Sequence, residues 1–206
     1  LVYISQPTEY GTLYSLQELE ELSAVCRERD LKLFVDGARL AYALASPAND
    51  VTLADLARLT DVFYIGGTKC GSLFGEAVVI PERGSIRQFV THMKQHGALL
   101  AKGRLLGVQF EALFEEGLYL TIGEPAVKAT ARIREALKRA GYVVTMDSPT
   151  NLTFVALDQA GHERLSDKVR YSIWETLPDG RLLARIGTSW ATPEEDVVAF
   201  EQALAR

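Results

Sequence analysis

LVYISQPTEYGTLYSLQELEELSAVCRERDLKLFVDGARL, Leu1 to Leu40, is the stretch that decides the fold. It opens on LVYIS, a short apolar run of the composition a buried strand takes. A turn-rich segment follows, and Ser15 then stands where a helix can begin. Its hydroxyl can cap the helix, and Glu18, three residues on, can close a capping box. Leu13, Leu16, Leu19, Leu22 and Val25 recur at helical spacing and make one stripe apolar. LKLFVD is the next strand, closed by Asp36 and Gly37. Strand, helix and strand in so short a span predict a βαβ unit, hence parallel strands joined by a right-handed crossover.

Working outward, VTLADLARLTD predicts a second short helix, DVFYIGG a third strand and EAVVIPE a fourth. The link from Gly66 to Gly75 is too short for a crossover helix, so the fourth strand is expected antiparallel to the third. From Ser85 the character changes to a long, mostly helical stretch interrupted near His96–Gly97. GEPAVKATARIREALKRAG reads as a helix with Gly141 as its stop. YVVTM and NLTFVAL read as strands around a DSPT turn, and RLLARIGTSW as another strand. A last helix is expected from Thr192 as cap, with Pro193 in its first position and Glu195 three after the cap.

The totals narrow the function classes. Hydrophobic residues make up 48% and charged residues 24% of 206, a balance that suits a packed globular protein. Lys and Arg number 22 against 27 acids, for a net charge of −5. That argues against a general binder of nucleic acid or of membrane surfaces, either of which wants a basic face. No apolar run approaches the roughly 18–20 residues of a membrane span, and no stretch reads as a secretory signal. The two cysteines, Cys26 and Cys70, stand far apart and outside any CxxC pattern, so a reduced, cytoplasmic protein is expected. His92, His96 and His162 have no metal-ligand spacing.

Two residues draw attention as chemistry. Asp36 ends a buried strand, the edge at which open α/β sheets bind ligands; Asp–Gly is equally an ordinary turn pair. Lys69 follows the third strand in GGTKCG, where bulky side chains are cleared away. A lysine partly desolvated there is a usable amine nucleophile toward a carbonyl; the plain alternative is a solvent-facing lysine in a hairpin loop. The stretch fits neither a Walker A loop nor a dinucleotide fingerprint, since spacing and following element are wrong for both. Gly66, Gly67 and Thr68 could still offer backbone N–H groups and a hydroxyl to a phosphate. Gln6 and Thr8, just after the first strand, lie at the crevice edge.

VDGARL at Val35–Leu40 followed by GGTK at Gly66–Lys69 resembles the threonine aldolase and β-eliminating lyase family of pyridoxal-phosphate enzymes, of the aspartate-aminotransferase fold type. The whole QPTEYGTLY…VDGARL block and TSWATPEEDV near the end are similar to the same family. The resemblance implies an α/β fold: residues 1–84 as part of a cofactor-binding large domain with a mostly parallel sheet and flanking helices, 85–122 as a helical connector, and 123–206 as a small α+β domain. It implies pyridoxal 5'-phosphate as cofactor. Lys69 would be the amine that meets the cofactor's aldehyde, and Asp36 would hold the proton on the pyridine nitrogen. Arg39 would lie beside the ring, and Thr68 with Gly66 and Gly67 would cup the phosphate. Arg185 matches the arginine that grips the substrate's α-carboxylate, a task that suits its planar fork; without the resemblance it would read as an arginine in an edge strand. Lys94 and Lys102 match basic residues near the phosphate, in part across a dimer interface; a solvated helix face explains them equally.

Activity implied by the resemblance is retro-aldol cleavage of a β-hydroxy amino acid such as threonine to glycine and an aldehyde. The rivals are β-elimination on cysteine, serine or tryptophan, and a non-catalytic homologue serving assembly. A homodimer or homotetramer is expected, with an amino acid as small-molecule partner and neither nucleic acid nor membrane. Family members are longer, and the segment expected before Leu1 would carry the main phosphate loop and an aromatic residue stacked on the ring. The 206-residue chain by itself is therefore expected to bind the cofactor weakly and to turn over little. Trp174 and Trp190 are read as core or interface, and Cys70 as a small buried thiol.

Overall fold

The computed structural model describes residues 1–205. Strand β1 (Val2–Ser5), helix α1 (Leu16–Glu28) and strand β2 (Leu33–Asp36) form the crossover unit, with β1 and β2 parallel and Ser5 opposite Asp36. Helix α1 begins where its capping box puts it. The Ser15 hydroxyl accepts from the Glu18 N–H, and the Glu18 carboxylate accepts from the Ser15 N–H at 2.8 Å. Leu19, Ser23 and Cys26 are its buried face. Burying one leucine contributes roughly 1.5–3 kcal/mol, so packing outweighs propensity in holding the helix.

Helix α2 (Leu40–Leu44) has no counterpart in the sequence reading. Leu40, Ala41, Tyr42 and Ala43 are all buried, so the segment shows no one-sided stripe. Helix α3 (Leu53–Leu59) follows, with Thr52 and Asp55 closing a second capping box. Strand β3 (Val62–Gly66) runs parallel to β2, and β4 (Glu76–Val79) antiparallel to β3, as the short link requires. The sheet order is β1-β2-β3-β4. This topology brings the end of β2, with Asp36, and the loop after β3, with Lys69, to one edge of the sheet. The approach is close: a Cβ on Gly37 would fall 1.9 Å from the Tyr64 carbonyl oxygen.

The connector is broken into α4 (Phe89–Gln95), α5 (Arg104–Phe114) and the single turn α6 (Leu118–Thr121). Gly97 and Gly117, with φ of 72° and 74°, make the breaks in a conformation that side chains resist. Helix α4 buries no residue. Leu113 and Tyr119 anchor the connector to the first core, Tyr119 donating from its hydroxyl to the Gly66 carbonyl at 2.7 Å.

A second sheet, order β5-β6-β8-β7, is antiparallel throughout: β5 (Val143–Val144), β6 (Leu152–Leu157), β7 (Ser172–Thr176) and β8 (Leu182–Gly187). One face packs under α7 (Glu124–Arg139) and α9 (Glu194–Ala205) around Ile133, Leu137, Val155, Ala184 and Val197. The other face carries Phe154, Leu183 and Trp174, on which Tyr10 of the first half packs. Strand β7 and helix α8 (Gln159–Ser166) are absent from the sequence reading: β7 is an exposed edge strand, and α8 buries only Gly161 and Leu165. Helix α9 begins at Glu194, one residue later than Thr192 as cap predicts, and the Thr192 hydroxyl accepts instead from the Ser189 N–H at 2.8 Å.

The two halves are joined by polar contacts as well as by Tyr10. The Gly11 carbonyl accepts from Ser148 at 3.1 Å and from Thr150 at 2.9 Å, and Ser46 donates to the Pro149 carbonyl at 2.9 Å. Among the described residues no helix is long and apolar enough to cross a membrane.

Candidate active site

Asp36 is the last residue of β2, and it is flanked by tyrosines from both neighbouring strands. Tyr3 of β1 donates to one carboxylate oxygen and Tyr64 of β3 to the other, and the Ala38 N–H donates to Oδ1 at 2.9 Å. Burial pushes the Asp36 carboxyl up, but these hydrogen bonds and the Lys69 charge outweigh it and hold it below its ordinary value. The tyrosines respond in the opposite sense. The hydrogen bond to Asp36 leads the causes that raise Tyr3 to about 12, and burial followed by the same carboxylate raises Tyr64 further.

Lys69 sits in the turn after β3, with its side chain exposed rather than desolvated as expected from the small residues around it. Its backbone is fixed instead. The buried Tyr42 hydroxyl donates to the Lys69 carbonyl at 2.5 Å and accepts from the Trp190 N–H at 3.4 Å. Next in the chain, Cys70 is fully buried, and burial pushes its thiol up to about 11.

Lys69 opens into a cleft of about 490 Å³ between the two halves. The first half contributes Arg39, Tyr42, Thr68 and Lys69; the second contributes Asn151, Ser172, Arg185, Thr188 and Trp190. Asp36 is not in this lining; it stands beside it, near enough for the Lys69 charge to act on its carboxylate. Arg39 is largely covered and pairs with Glu9 at 3.5 Å. Arg185 lies on β8, opposite Phe154 and Ser172, and its guanidinium stands over the Trp174 ring at 4.4 Å. Among the described residues its side chain makes no hydrogen bond or ion pair, so its N–H donors are free. Asn151 shows the reverse: its Nδ2 donates to the Thr188 carbonyl at 2.7 Å, while its buried Oδ1 has no donor. A cleft with Arg39, Lys69 and Arg185 in its wall, in a chain of net −5, is a local positive site for an anion.

Several sequence expectations need correction. The Gly66 N–H donates to the Gly37 carbonyl at 2.9 Å, and the Gly67 N–H to the Glu76 carboxylate at 2.5 Å. Neither N–H is left for a phosphate. Both glycines serve close packing, since a Cβ would fall 2.4 Å from the Ala38 oxygen at Gly66 and 2.6 Å from the Gly75 oxygen at Gly67. Thr68 does line the cleft. Lys94, in α4, and Lys102, before α5, are exposed and do not line it. Gln6 is committed at both ends of its amide to the Tyr14 backbone, and Thr8 bonds Thr12. Trp190, read from sequence as core or interface, lines the cleft, as do Tyr42 and Asn151, which the sequence reading passed over. Tyr42 falls three residues after Arg39, and that spacing on a recognised helix would have flagged it.

A carboxylate held ionised beside an exposed amine, with arginines on both walls, is a donor set that fits an aromatic aldehyde bearing a phosphate and a basic ring nitrogen. Comparison with known proteins points the same way. The family model described as β-eliminating lyase matches residues 1–160. A protein named low specificity L-threonine aldolase from Pseudomonas aeruginosa is 30% identical over 202 residues, 96% of this chain and 56% of its own. The solved threonine aldolase of Leishmania major superposes with a TM-score of 0.93 at 45% identity, covering 100% of this chain and 60% of that one. An aspartate aminotransferase of Thermus thermophilus shares the fold at 15% identity, TM-score 0.69, over 99% of this chain and 56% of its own. The chain spans about half the length, or less, of the curated relatives it matches.

Proposed function

The chain belongs to the β-eliminating lyase family, and on that premise we propose that it is part of a pyridoxal-phosphate lyase acting on amino acids, in the first place a threonine aldolase. The observation that carries the reading is the cleft itself: an unpaired Arg185 on one wall faces Lys69 and Arg39 on the other, with the ionised Asp36 beside them. When bound, pyridoxal phosphate supplies an aldehyde for an amine and a protonated ring that draws off electrons when a bond to the α-carbon breaks.

The chain's own residues divide the remaining work. Lys69 presents its amine at the cleft, on a turn whose backbone Tyr42 fixes. Asp36, kept ionised, holds a ring-nitrogen proton by charge, since a nearby carboxylate raises the pKa of a base. Its two tyrosine donors make it too weak a base to take that proton away. Arg39, largely covered and in the cleft wall, would lie beside the ring. Thr68 offers a hydroxyl to the phosphate. Arg185 offers its free donors to the substrate carboxylate. Asn151 lines the same wall, with its Nδ2 tied to the Thr188 carbonyl and its Oδ1 buried without a donor. An amino acid carries the carboxylate acceptor that Arg185 lacks.

We further assign Lys94 and Lys102, both exposed, to the neighbourhood of the phosphate, in part across the interface of a homodimer or homotetramer. Burial of both Cys26 and Cys70 as free thiols accords with a cytoplasmic setting.

The reaction is tested by products. In the longer protein of which the chain is proposed to be part, supplied with pyridoxal phosphate and threonine, glycine and acetaldehyde support the aldolase. A keto acid with ammonia, from threonine, serine, cysteine or tryptophan, replaces it with β-elimination. Loss of either activity in Arg185→Gln, with binding of pyridoxal phosphate retained, is expected. An unchanged KM in that variant contradicts the role given to Arg185.

A further inference from the structure

Arg185 is the cleft cation whose surroundings are least ordinary. Among the described residues its guanidinium has no hydrogen-bond or ion-pair partner, yet it is only partly exposed. What holds it is the flat face of Trp174, 4.4 Å from the guanidinium carbon to the ring centroid. Trp174 is braced in turn. Its ring meets Phe154 edge-on at 6.1 Å and Tyr10 edge-on at 5.9 Å, and Tyr10 comes from the loop after β1, in the other half of the molecule. A β-bulge falls between Ile173 and Glu175, so Trp174 has no direct partner on β8. Bulges of this kind re-aim a side chain. Glu175, next in the strand to Trp174, adds to the brace by accepting from the Tyr10 hydroxyl at 3.1 Å.

We propose that Trp174 is a positioning residue for substrate recognition, holding the Arg185 guanidinium by its face so that its edge stays free for a carboxylate, with Tyr10 bracing it from the opposite half. The proposal rests on the reading of Arg185 as the carboxylate-binding residue. Its physical content is a division of surfaces. A guanidinium binds a carboxylate through N–H groups in its plane, and it binds an aromatic ring through its π face. A resident aspartate or glutamate would orient Arg185 but compete with the substrate for the same donors. An indole orients it without competing. The stack also restricts a long, flexible side chain before the ligand arrives, so less freedom is lost on binding. Since Tyr10 belongs to the first half and Arg185 to the second, the platform depends on how the halves meet.

The test uses the ¹⁵N-labelled chain, nuclear magnetic resonance and propionate, a carboxylate with no amine, with propionamide as the uncharged control. In the unsubstituted chain, propionate is expected to shift the Arg185 Nε–H and Trp174 Nε1–H signals saturably, and propionamide is not. The Arg185 signals are expected to carry an upfield ring-current shift before ligand and to keep it at saturation. Trp174→Leu is expected to weaken propionate binding about tenfold, and Trp174→Phe, which keeps a π face, by a smaller factor. Equal affinity in Trp174→Leu overturns the proposal. So does loss of the ring-current shift on binding, a result that needs no variant and stands even where Trp174→Leu fails to fold. Arg185→Gln separates the two readings. If it binds propionate as well as the unsubstituted chain, or if that chain shows no saturable binding, Arg185 is not the carboxylate site and the role of Trp174 falls with it. If Arg185→Gln alone loses binding, only the Trp174 proposal fails.

Discussion

Tyr3 and Tyr64 reach Asp36 from the strands on either side of β2, and neither tyrosine is conspicuous in the sequence. Register alone makes them partners: Tyr3 stands opposite Phe34, two residues before Asp36, and Tyr64 lies on the far side of the same strand. Asp36 itself is legible, as an acid closing an apolar run; the groups that set its charge are not, because they come from other strands. Its folded pKa is depressed, so the stability it contributes is present above its unfolded value near 3.9 and is lost as pH falls through the folded value. Tyr64→Phe removes one donor and is expected to move the Asp36 titration upward, toward that unfolded value. The check is the pH dependence of the Asp36 carboxyl ¹³C shift in both chains; identical midpoints contradict the assignment. The local cation read at Lys69 holds its place at the cleft, but the desolvation argument for it does not, since the side chain is exposed. Small neighbours there serve the backbone: the room they leave lets β3 and the Asp36–Arg39 turn touch.

Elements with local signals are legible. Both capping boxes lie within a few residues of sequence, so α1 and α3 can be read directly. Ser15→Ala and Thr52→Ala are each expected to cost about 1 kcal/mol in urea denaturation, and the double variant is expected to depart from the sum, because the Leu16 N–H donates to Asp50 at 2.9 Å and brings the two helix starts together. The antiparallel β4 follows from loop length alone. By contrast α2 is buried on every side, β7 is an exposed and bulged edge strand, and α8 is short and mostly exposed. None of these carries the one-sided pattern that periodicity detects. The role of Gly37 is likewise hidden until β2 and β3 pair. Gly37→Ala would force a methyl onto the Tyr64 carbonyl and is expected to destabilise by about 1–3 kcal/mol, while opening the turn that carries Arg39. A variant as stable as the unsubstituted chain would mean that β3 can yield.

Across the whole molecule, the cleft exists because two sheets of different kinds meet. Arg39 and Lys69 arrive from one, Asn151 and Arg185 from the other, and no sequence pattern encodes that meeting. Such contacts include Ser148 and Thr150 on the Gly11 carbonyl, where a Cβ would stand 2.2 Å from the Ser148 hydroxyl. Thr150→Val leaves that carbonyl one donor poorer and is expected to cost about 1–3 kcal/mol, read as a lower urea midpoint. Because the contact joins the halves, tyrosine and tryptophan fluorescence should lose coincidence in the same experiment if the halves uncouple. The second core is more ordinary: Leu137→Ala is expected to cost about 2–5 kcal/mol. The proposed chemistry converges on one amine, that of Lys69. The longer protein of which this chain is proposed to be part is mixed with less than one equivalent of pyridoxal phosphate, reduced with borohydride, digested, and the labelled peptide identified by mass spectrometry. The label is expected on Lys69, and the visible imine band is expected to be lost in Lys69→Ala. A label spread over Lys32, Lys94 and Lys102, or a band that survives that substitution, contradicts it.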